Sequence, residues 1–460
     1  MSEASVVRIF ATTQTPDYDA PWQAHTPASS TGSGVTLDEQ HVLTGAHVVA
    51  NATFLQVQKV SDPNKYVARA VGICHDADLA LLRVEDERFA SQQHAAAELG
   101  ELPHLRDHVS VVGFPVGGEE VSITEGVVSR IEVQRYSHSQ RHLLAVTVDA
   151  AINEGNSGGP VFHDSKVIGI AFQTLRDAEA IGEMVPVSLI KRFLHGIKTG
   201  RSPEVPSLSL RSQSLENPML KRASGLGSAH TGVLIRHTEF GGTADGVLKA
   251  GDVLLQIAGY KIEDNGTIRY EDRIRTRYDV VMSDYYVDDQ IPVRIMRGGK
   301  EQELGLVLRG KQHLVERSRY EEEPRYFVYG GLVFQPLTRN YLETWNRWWD
   351  KAPPEFLTQY YAGLRTERRR EVVVLTQILA DDLTVGYEDH SNETVLGVNG
   401  EPAQDMDDFV RRIEASGAVC EFETSCGARL LLETDAVREA GPRILERYRI
   451  SADRSPDLRR

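Results

Sequence analysis

The sequence predicts a mainly β protein: antiparallel barrels over residues 1–200, followed by two smaller modules that mix strands with helix. Three observations predict it. Short apolar runs separated by turn residues fill residues 1–200 with little helical spacing between them, the pattern of closed antiparallel architectures. Beyond them the strand-and-turn stretch Val253-Leu254-Leu255-Gln256-Ile257-Ala258-Gly259 returns as Thr394-Val395-Leu396-Gly397-Val398-Asn399-Gly400. At 460 residues the chain is long enough for about three domains.

Taken in order, apolar runs occur at residues 6–10, 34–37, 41–43, 54–57 and 68–73, and again at 109–112, 143–148 and 167–172. Their lengths suit strands, and the Gly, Asp, Asn and Pro between them suit turns. Leu189, Ile190, Phe193, Leu194 and Ile197 then fall on one helical face, with Pro186 near the start and Gly200 past the end. A helix therefore closes this part of the chain. A polar linker at 199–204 leads to a module at 205–312, and Glu321-Glu322-Glu323-Pro324 leads to another at 325–445. The latter carries an insertion at about 338–370 with two helices, then a helix over residues 407–413 with acids in its first turn, where they favour the helix dipole.

Composition excludes several function classes. Hydrophobic content of 41% and charged content of 25% are those of a soluble globular protein. A net charge of −15 argues against a sequence-independent grip on nucleic acid, which needs clustered Lys and Arg. Cys74, Cys420 and Cys426 are too few and scattered for a disulfide framework, and the last two read as small buried residues. The opening Met-Ser-Glu-Ala-Ser lacks a basic n-region, so no secretory signal is read and a cytoplasmic, or in a eukaryote nuclear, location is expected. No apolar run approaches the roughly 18 residues of a membrane span.

The informative stretch is Asn153-Glu154-Gly155-Asn156-Ser157-Gly158-Gly159-Pro160. A serine flanked by glycines reads as a tight turn holding a hydroxyl outward beside backbone N–H groups. That is the equipment of acyl transfer: a nucleophile with donors aimed at the oxyanion forming next to it. Upstream lie Thr44-Gly45-Ala46-His47 and Asp76-Ala77-Asp78-Leu79-Ala80-Leu81-Leu82. An imidazole titrates near working pH and serves as base, and a carboxylate orients it.

These three segments resemble the chymotrypsin-type serine proteases, and within them the Deg/HtrA family, most of all its two-PDZ plant-type branch. Val112-Gly113-Phe114-Pro115-Val116-Gly117-Gly118 and Ile123-Thr124-Glu125-Gly126-Val127-Val128-Ser129 resemble the strand pair before that family's serine box. The resemblance implies a chymotrypsin-like double β-barrel followed by two PDZ-like α+β domains. It implies His47 as base, Asp78 as its orienting acid, Ser157 as nucleophile, and the N–H groups of Gly155 and Ser157 as oxyanion donors. Asp76, two residues before Asp78, reads instead as a surface acid capping a strand. Where Gly45 stands, the family usually shows Ala or Asn. Residues 150–153 and the segment from Ala171 to Gly182 are implied to select substrate, with Ile152, Ala171, Phe172 and Gln173 as binding residues.

Those residues are apolar or neutral, so cleavage after small or medium aliphatic residues is expected. The first PDZ-like module offers Leu208-Ser209-Leu210 as its peptide-accepting loop, with serine in the usual glycine position; the second offers Gly330-Gly331-Leu332-Val333-Phe334. The family implies unfolded or misfolded polypeptides as substrates and a homo-oligomer, a trimer or larger. The chain has no Gly-x-x-x-x-Gly-Lys-Ser/Thr loop and no His/Cys cluster at metal-ligand spacing, so cleavage is expected without ATP, metal or cofactor. The competing expectation is a peptide-binding or chaperone-like scaffold whose protease domain rests inactive.

Two features of the insertion are structural by this reading. Trp345, Trp348 and Trp349 are spaced as one helical face, which reads as a core stripe, with a subunit interface as the functional alternative. Arg365, Arg368, Arg369 and Arg370 read as a solvated helix face.

Overall fold

The apolar runs of the first 200 residues do become strands, and burial alternates or saturates along them as closure requires. In the computed structural model, which describes residues 3–60, 62–91, 96–115, 120–152, 155–174, 181–227 and 229–459, the first barrel comprises β1 (Val6–Thr13), β2 (Ala28–Thr36), β3 (His41–Thr44), β4 (Ala52–Lys59), β5 (Tyr66–Cys74) and β6 (Leu79–Val84). It closes in the order β1-β2-β3-β6-β5-β4. The second barrel comprises β7 (His108–Gly113), β8 (Ser122–Arg135), β9 (His142–Val148), β10 (Pro160–His163), β11 (Lys166–Thr174) and β12 (Gly182–Pro186), closed as β10-β11-β12-β9-β8-β7. The helix Val187–Thr199 follows, as its spacing predicts. Its Leu189, Ile190 and Phe193 join a buried cluster holding Val35 and Leu43 of the first barrel and Phe162 and Ile170 of the second. One core thus seats the two barrels on each other.

Two compact units divide the chain: Met1–Thr13 with Pro27–Lys311, and Gln14–Thr26 with Gln312–Arg460. The first unit continues after the barrels with β13 (Leu210–Ser214), β14 (Val233–Thr238), β15 (Val253–Ile257), β16 (Tyr260–Lys261), β17 (Thr267–Tyr270), β18 (Ile274–Arg277), β19 (Gln290–Arg297) and β20 (Lys300–Val307). The sheet runs β13-β14-β15-β19-β20, with β16 on β15 and β17-β18 as a separate hairpin. It shares a continuous core with the second barrel, from Val128 and Val146 to Ile257 and Tyr278. Arg273 donates to the carbonyls of Leu102 and Pro103, each at 2.9 Å. This packing makes the sheet part of the barrel unit rather than a tethered module.

The second unit is built on β21 (Phe327–Tyr329), β22 (Leu332–Pro336), β23 (Val373–Ile378), β24 (Glu393–Val398), β25 (Val419–Thr424) and β26 (Arg429–Glu433), paired in sequence order. The expected peptide-accepting loop at Gly330-Gly331 is instead a two-residue hairpin turn, with Tyr329 paired to Leu332 and φ of +58° and +93° at the glycines. Two positive φ values in a row make the tight turn that joins adjacent strands. The outer edge of β21 is taken by the chain's own C-terminal residues, Val328 N–H donating to Asp453 O at 2.6 Å and Ser455 N–H to Tyr326 O at 3.0 Å.

Three further expectations change. Arg347 adopts left-handed backbone (φ +58°), which separates the helix Arg339–Leu342 from Trp348–Lys351; the tryptophans do not share one helical face. Trp345 packs edge-on against Tyr341, Trp348 against Tyr360, and Trp349 stays 55% exposed. Residues 363–370 are turn rather than helix, and Arg370 pairs with Asp405 at 2.6 Å. Cys420 is buried, but Cys426 is exposed.

Residues 14–26, which leave the first barrel between β1 and β2, fold with the second unit. Tyr18 is buried with Leu314, Leu337 and Phe356, and its carbonyl accepts from the buried Gln335 side chain at 3.0 Å. Trp22 meets Tyr326 edge-on at 6.0 Å. Tyr18→Ala is expected to remove about 3 kcal/mol, the range for emptying an aromatic site. Urea unfolding followed by a probe in the second unit checks this; an unchanged midpoint would refute the anchoring role.

Candidate active site

His47 lies in the short helix Ala46–Val49, just after β3, and Asp78 ends the turn between β5 and β6. Because β3 pairs with β6, Thr44 opposite Ala80, the two segments lie side by side. Asp78 takes left-handed backbone (φ +53°) and is 1% exposed, a conformation Asp tolerates better than most residues. Its carboxylate grips His47 twice: Oδ1 accepts from the His47 backbone N–H at 2.8 Å and Oδ2 contacts Nδ1 at 2.7 Å. Nδ1 therefore carries the proton, and Nε2 keeps its lone pair. Nε2 has no hydrogen-bond partner among the described residues.

Burial disfavours charge on both groups, and their attraction overcomes it. His47 is raised above the ordinary 6.5 by the Asp78 charge and hydrogen bond. Asp78 is brought down to about 2, against its own burial, by the charge and hydrogen bonds of His47 and by the charge of His138.

The turn carrying Ser157 is tied to both barrels. Ser157 O accepts from Ser33 N–H at 3.0 Å, and the wholly buried Ser33 hydroxyl donates to Gly155 O at 2.7 Å while accepting from Phe114 N–H at 2.8 Å. Thr44 Oγ1 donates to Ser33 O at 2.7 Å. On the other side, Gly158 N–H reaches Ala171 O at 2.8 Å and Ala171 N–H reaches Gly159 O at 2.9 Å. Gly158 is irreplaceable here: φ is +80°, and a Cβ would sit 2.4 Å from Thr44 Oγ1 and 2.5 Å from Ser33 O. Sequence reasoning missed Ser33, for a serine among residues 29–34 carries no local signal of contacts 122 residues away.

The histidine and serine segments also meet at Gly45. A Cβ built there would lie 2.7 Å from His47 Cε1, 2.8 Å from Nδ1 and 3.6 Å from Gly158 Cα. The backbone at Gly45 is ordinary (φ −77°, ψ 143°), so a side chain here would be opposed only by the imidazole, the movable end of the His47 side chain.

Asp76 differs from its reading as a surface cap: Oδ2 pairs with Arg141 at 2.8 Å and accepts from Val205 N–H at 2.9 Å. It is a structural tie, while the bond to His47 is made by Asp78. Of the expected substrate residues, Ile152 and Ala171 share a buried cluster with Met184. Gly182 makes room for Ile152, whose Cδ1 lies 2.4 Å from where a Cβ would be. Phe172 turns to the opposite face and packs on Tyr136 at 4.4 Å. The Gln173 side chain accepts from Ser137 N–H at 2.7 Å and donates to Glu183. Asn153, residues 116–118 and residues 175–180 lie outside the described residues. Among the described residues no group of three or more His, Cys, Asp or Glu is placed to hold a metal, and no helix is long and apolar enough to cross a membrane.

Comparison with known proteins matches residues 32–170 to the trypsin-like peptidase domain and residues 315–457 to the PDZ domain. Protease Do-like 2, chloroplastic, of Arabidopsis thaliana is 36% identical across 99% of this chain and 75% of its own length. Protease Do-like 4, mitochondrial, of the same plant is 34% identical across 97% and 84%. Among solved structures, the HtrA-type protease AlgW with a decapeptide shares the fold, with a TM-score of 0.51 at 23% identity over 67% of this chain and 96% of that one.

Proposed function

Because the chain belongs to the Deg/HtrA family of serine proteases, we propose that His47, Asp78 and Ser157 are its catalytic triad and that it cleaves unfolded polypeptides without ATP. The observation that carries this is the doubly bonded His47–Asp78 pair beside a serine turn anchored to both barrels. His47 Nε2 takes the Ser157 proton during attack on the carbonyl carbon and returns it to the leaving amine; Asp78 holds the tautomer and stabilises the imidazolium without taking the proton. The N–H groups of Gly155 and Ser157 receive the oxyanion, each worth ~100- to 1000-fold in turnover. The decapeptide on the solved relative supports a polypeptide substrate.

Specificity follows from side-chain alternation on β12. Gly182 and Met184 share the face of Ile152, while the fully buried Glu183 points to the other face, toward Gln173, as successive strand residues must. No acid on these strands is thus presented to a bound side chain, which favours small and medium aliphatic residues. Cleavage sites mapped on unfolded casein are expected after Val, Ala, Ile or Leu; strict Lys or Arg preference would reject the assignment. The exposed Trp349 and Tyr361 of the second unit support self-association as a trimer or larger homo-oligomer, which particle mass in solution tests.

A further inference from the structure

We propose that the second unit carries a guanidinium-binding pocket, built where residues 14–26, the insertion and the β23–β24 connection meet. Its ligand is the cation of an arginine side chain or of a small alkylguanidine. A cavity of about 490 Å³ opens there, within the size range of small-ligand sites. Asp19 comes from residues 14–26, Tyr341 and Trp345 from the insertion, and Gln377 from the end of β23. Glu388 and Asn392 come from the connection that leads to β24. None of these segments bears a residue of the proposed triad, so the two readings stand or fall separately.

The charge of the wall is unbalanced. Among the described residues that line it are two carboxylates, Asp19 and Glu388, and no Lys, Arg or His. Other acids of this unit are matched: Asp381 with Arg443 and Arg447, Glu371 with Arg325, Glu343 with Arg339. No such ion pair engages Asp19 or Glu388 among the described residues. The carboxylate that closes the turn at residues 17–20 belongs to Asp17, which accepts from Asp19 N–H at 2.9 Å and Ala20 N–H at 3.1 Å. Glu388 accepts from Gly386 N–H at 3.2 Å. Burial, and after it the Asp19 charge, pushes the Tyr341 phenol up. The field inside the pocket is thus negative, and it concentrates cations there.

Trp345 decides which cation. Its indole is partly buried and braced edge-on by Tyr341 at 5.1 Å and by Phe356 at 6.2 Å between ring centroids. A guanidinium is planar, stacks on an indole and offers five N–H donors to separate acceptors, whereas an ammonium is a compact, strongly hydrated point charge. Two carboxylates from different segments beside an aromatic wall suit the forked, flat cation.

The walls are fixed before any ligand arrives. Tyr341, 2% exposed, donates its hydroxyl to Asn392 Oδ1 at 2.6 Å. Asn392 N–H donates to Leu375 O at 2.7 Å, and Gln377 Nε2 donates to Asp19 O at 2.5 Å. Bonds already made in the free protein lower the ordering cost of binding. A cation shared by Asp19 and Glu388 also adds a tie between residues 14–26 and the β23–β24 connection.

The test uses the full chain carrying Ser157→Ala, so that no peptide is cut, and two probes: agmatine and the capped tripeptide acetyl-Ala-Arg-Ala-amide. The control is the tripeptide with citrulline, whose neutral urea replaces the guanidinium at nearly the same shape. Binding is read by calorimetric titration and by hydrogen exchange of residues 14–26. Saturable binding is expected, weakening as salt is raised and slowing exchange in that segment. The tighter guanidinium probe should exceed the citrulline peptide at least about 10-fold in affinity, the combined worth of two exposed ion pairs and a cation–π contact. Asp19→Asn and Glu388→Gln should each weaken it about 3- to 5-fold, the size of an exposed ion pair. Both carboxylates are exposed, so Tm should not move. Tighter binding of agmatine assigns a free alkylguanidine, and tighter binding of the peptide assigns an arginine of a polypeptide. The site is overturned if the citrulline peptide matches the tighter guanidinium probe, if neither variant shifts the titration, or if neither probe binds saturably.

Discussion

Ser157→Ala is expected to abolish cleavage of casein, a fall of about 10⁶-fold in kcat, the usual result of removing a serine nucleophile. The fold should survive, because the turn is held through its backbone: Ser157 O to Ser33 N–H, Gly158 N–H to Ala171 O, and Ala171 N–H to Gly159 O. None of these bonds uses the Ser157 hydroxyl. Tm should therefore stay within a degree or two, as for a substitution that removes no buried group. Digestion of casein by the purified variant at the wild-type rate would remove Ser157 from the mechanism.

Asp78→Asn is expected to lower kcat about 10⁴-fold, the cost of presenting the wrong imidazole tautomer to the nucleophile. The pH dependence separates this from simple misfolding. In the proposed triad the base is neutral His47, whose pKa stands above 6.5, so activity should rise with pH along a limb placed above that value. Asp78, brought down to about 2, stays charged throughout that range. In the Asn variant the raising charge is gone while burial remains, so the limb should move to lower pH even as the plateau falls. A limb that stays put would show that Asp78 does not set the charge of His47.

The same shifts bear on stability. Asp78 is depressed from the ordinary 3.8 to about 2, so its contribution is full above the unfolded value and is lost as pH falls toward 2. His47 is raised, so its contribution is present below 6.5 and is lost as pH climbs through its folded value.

What was legible locally came from residue pattern together with the family resemblance of three short segments. The glycines around Ser157, the short box before His47 and the apolar run after Asp78 constrain backbone within a few residues, so turn and strand chemistry expose them. The closing helix Val187–Thr199 was legible for the same reason, through its five-residue apolar face. Where local pattern misled, a neighbour distant in sequence or a single backbone angle had intervened. The tryptophans at helical spacing were parted by the left-handed Arg347. Asp76 and Asp78 differ by two positions, yet one pairs with Arg141 and the other with His47, a choice made by the loops that pack against them.

Sequence by itself determined the barrel architecture and the short segments bearing the histidine, the aspartate and the serine, because periodicity and turn residues act over a handful of positions. Only the tertiary structure decided what those segments touch: Ser33 bracing the serine turn, Gly45 yielding space to the imidazole, and His75 of one barrel meeting His138 of the other. Such contacts join residues tens to hundreds of positions apart, and they exist only once barrel closure has brought the strands into register.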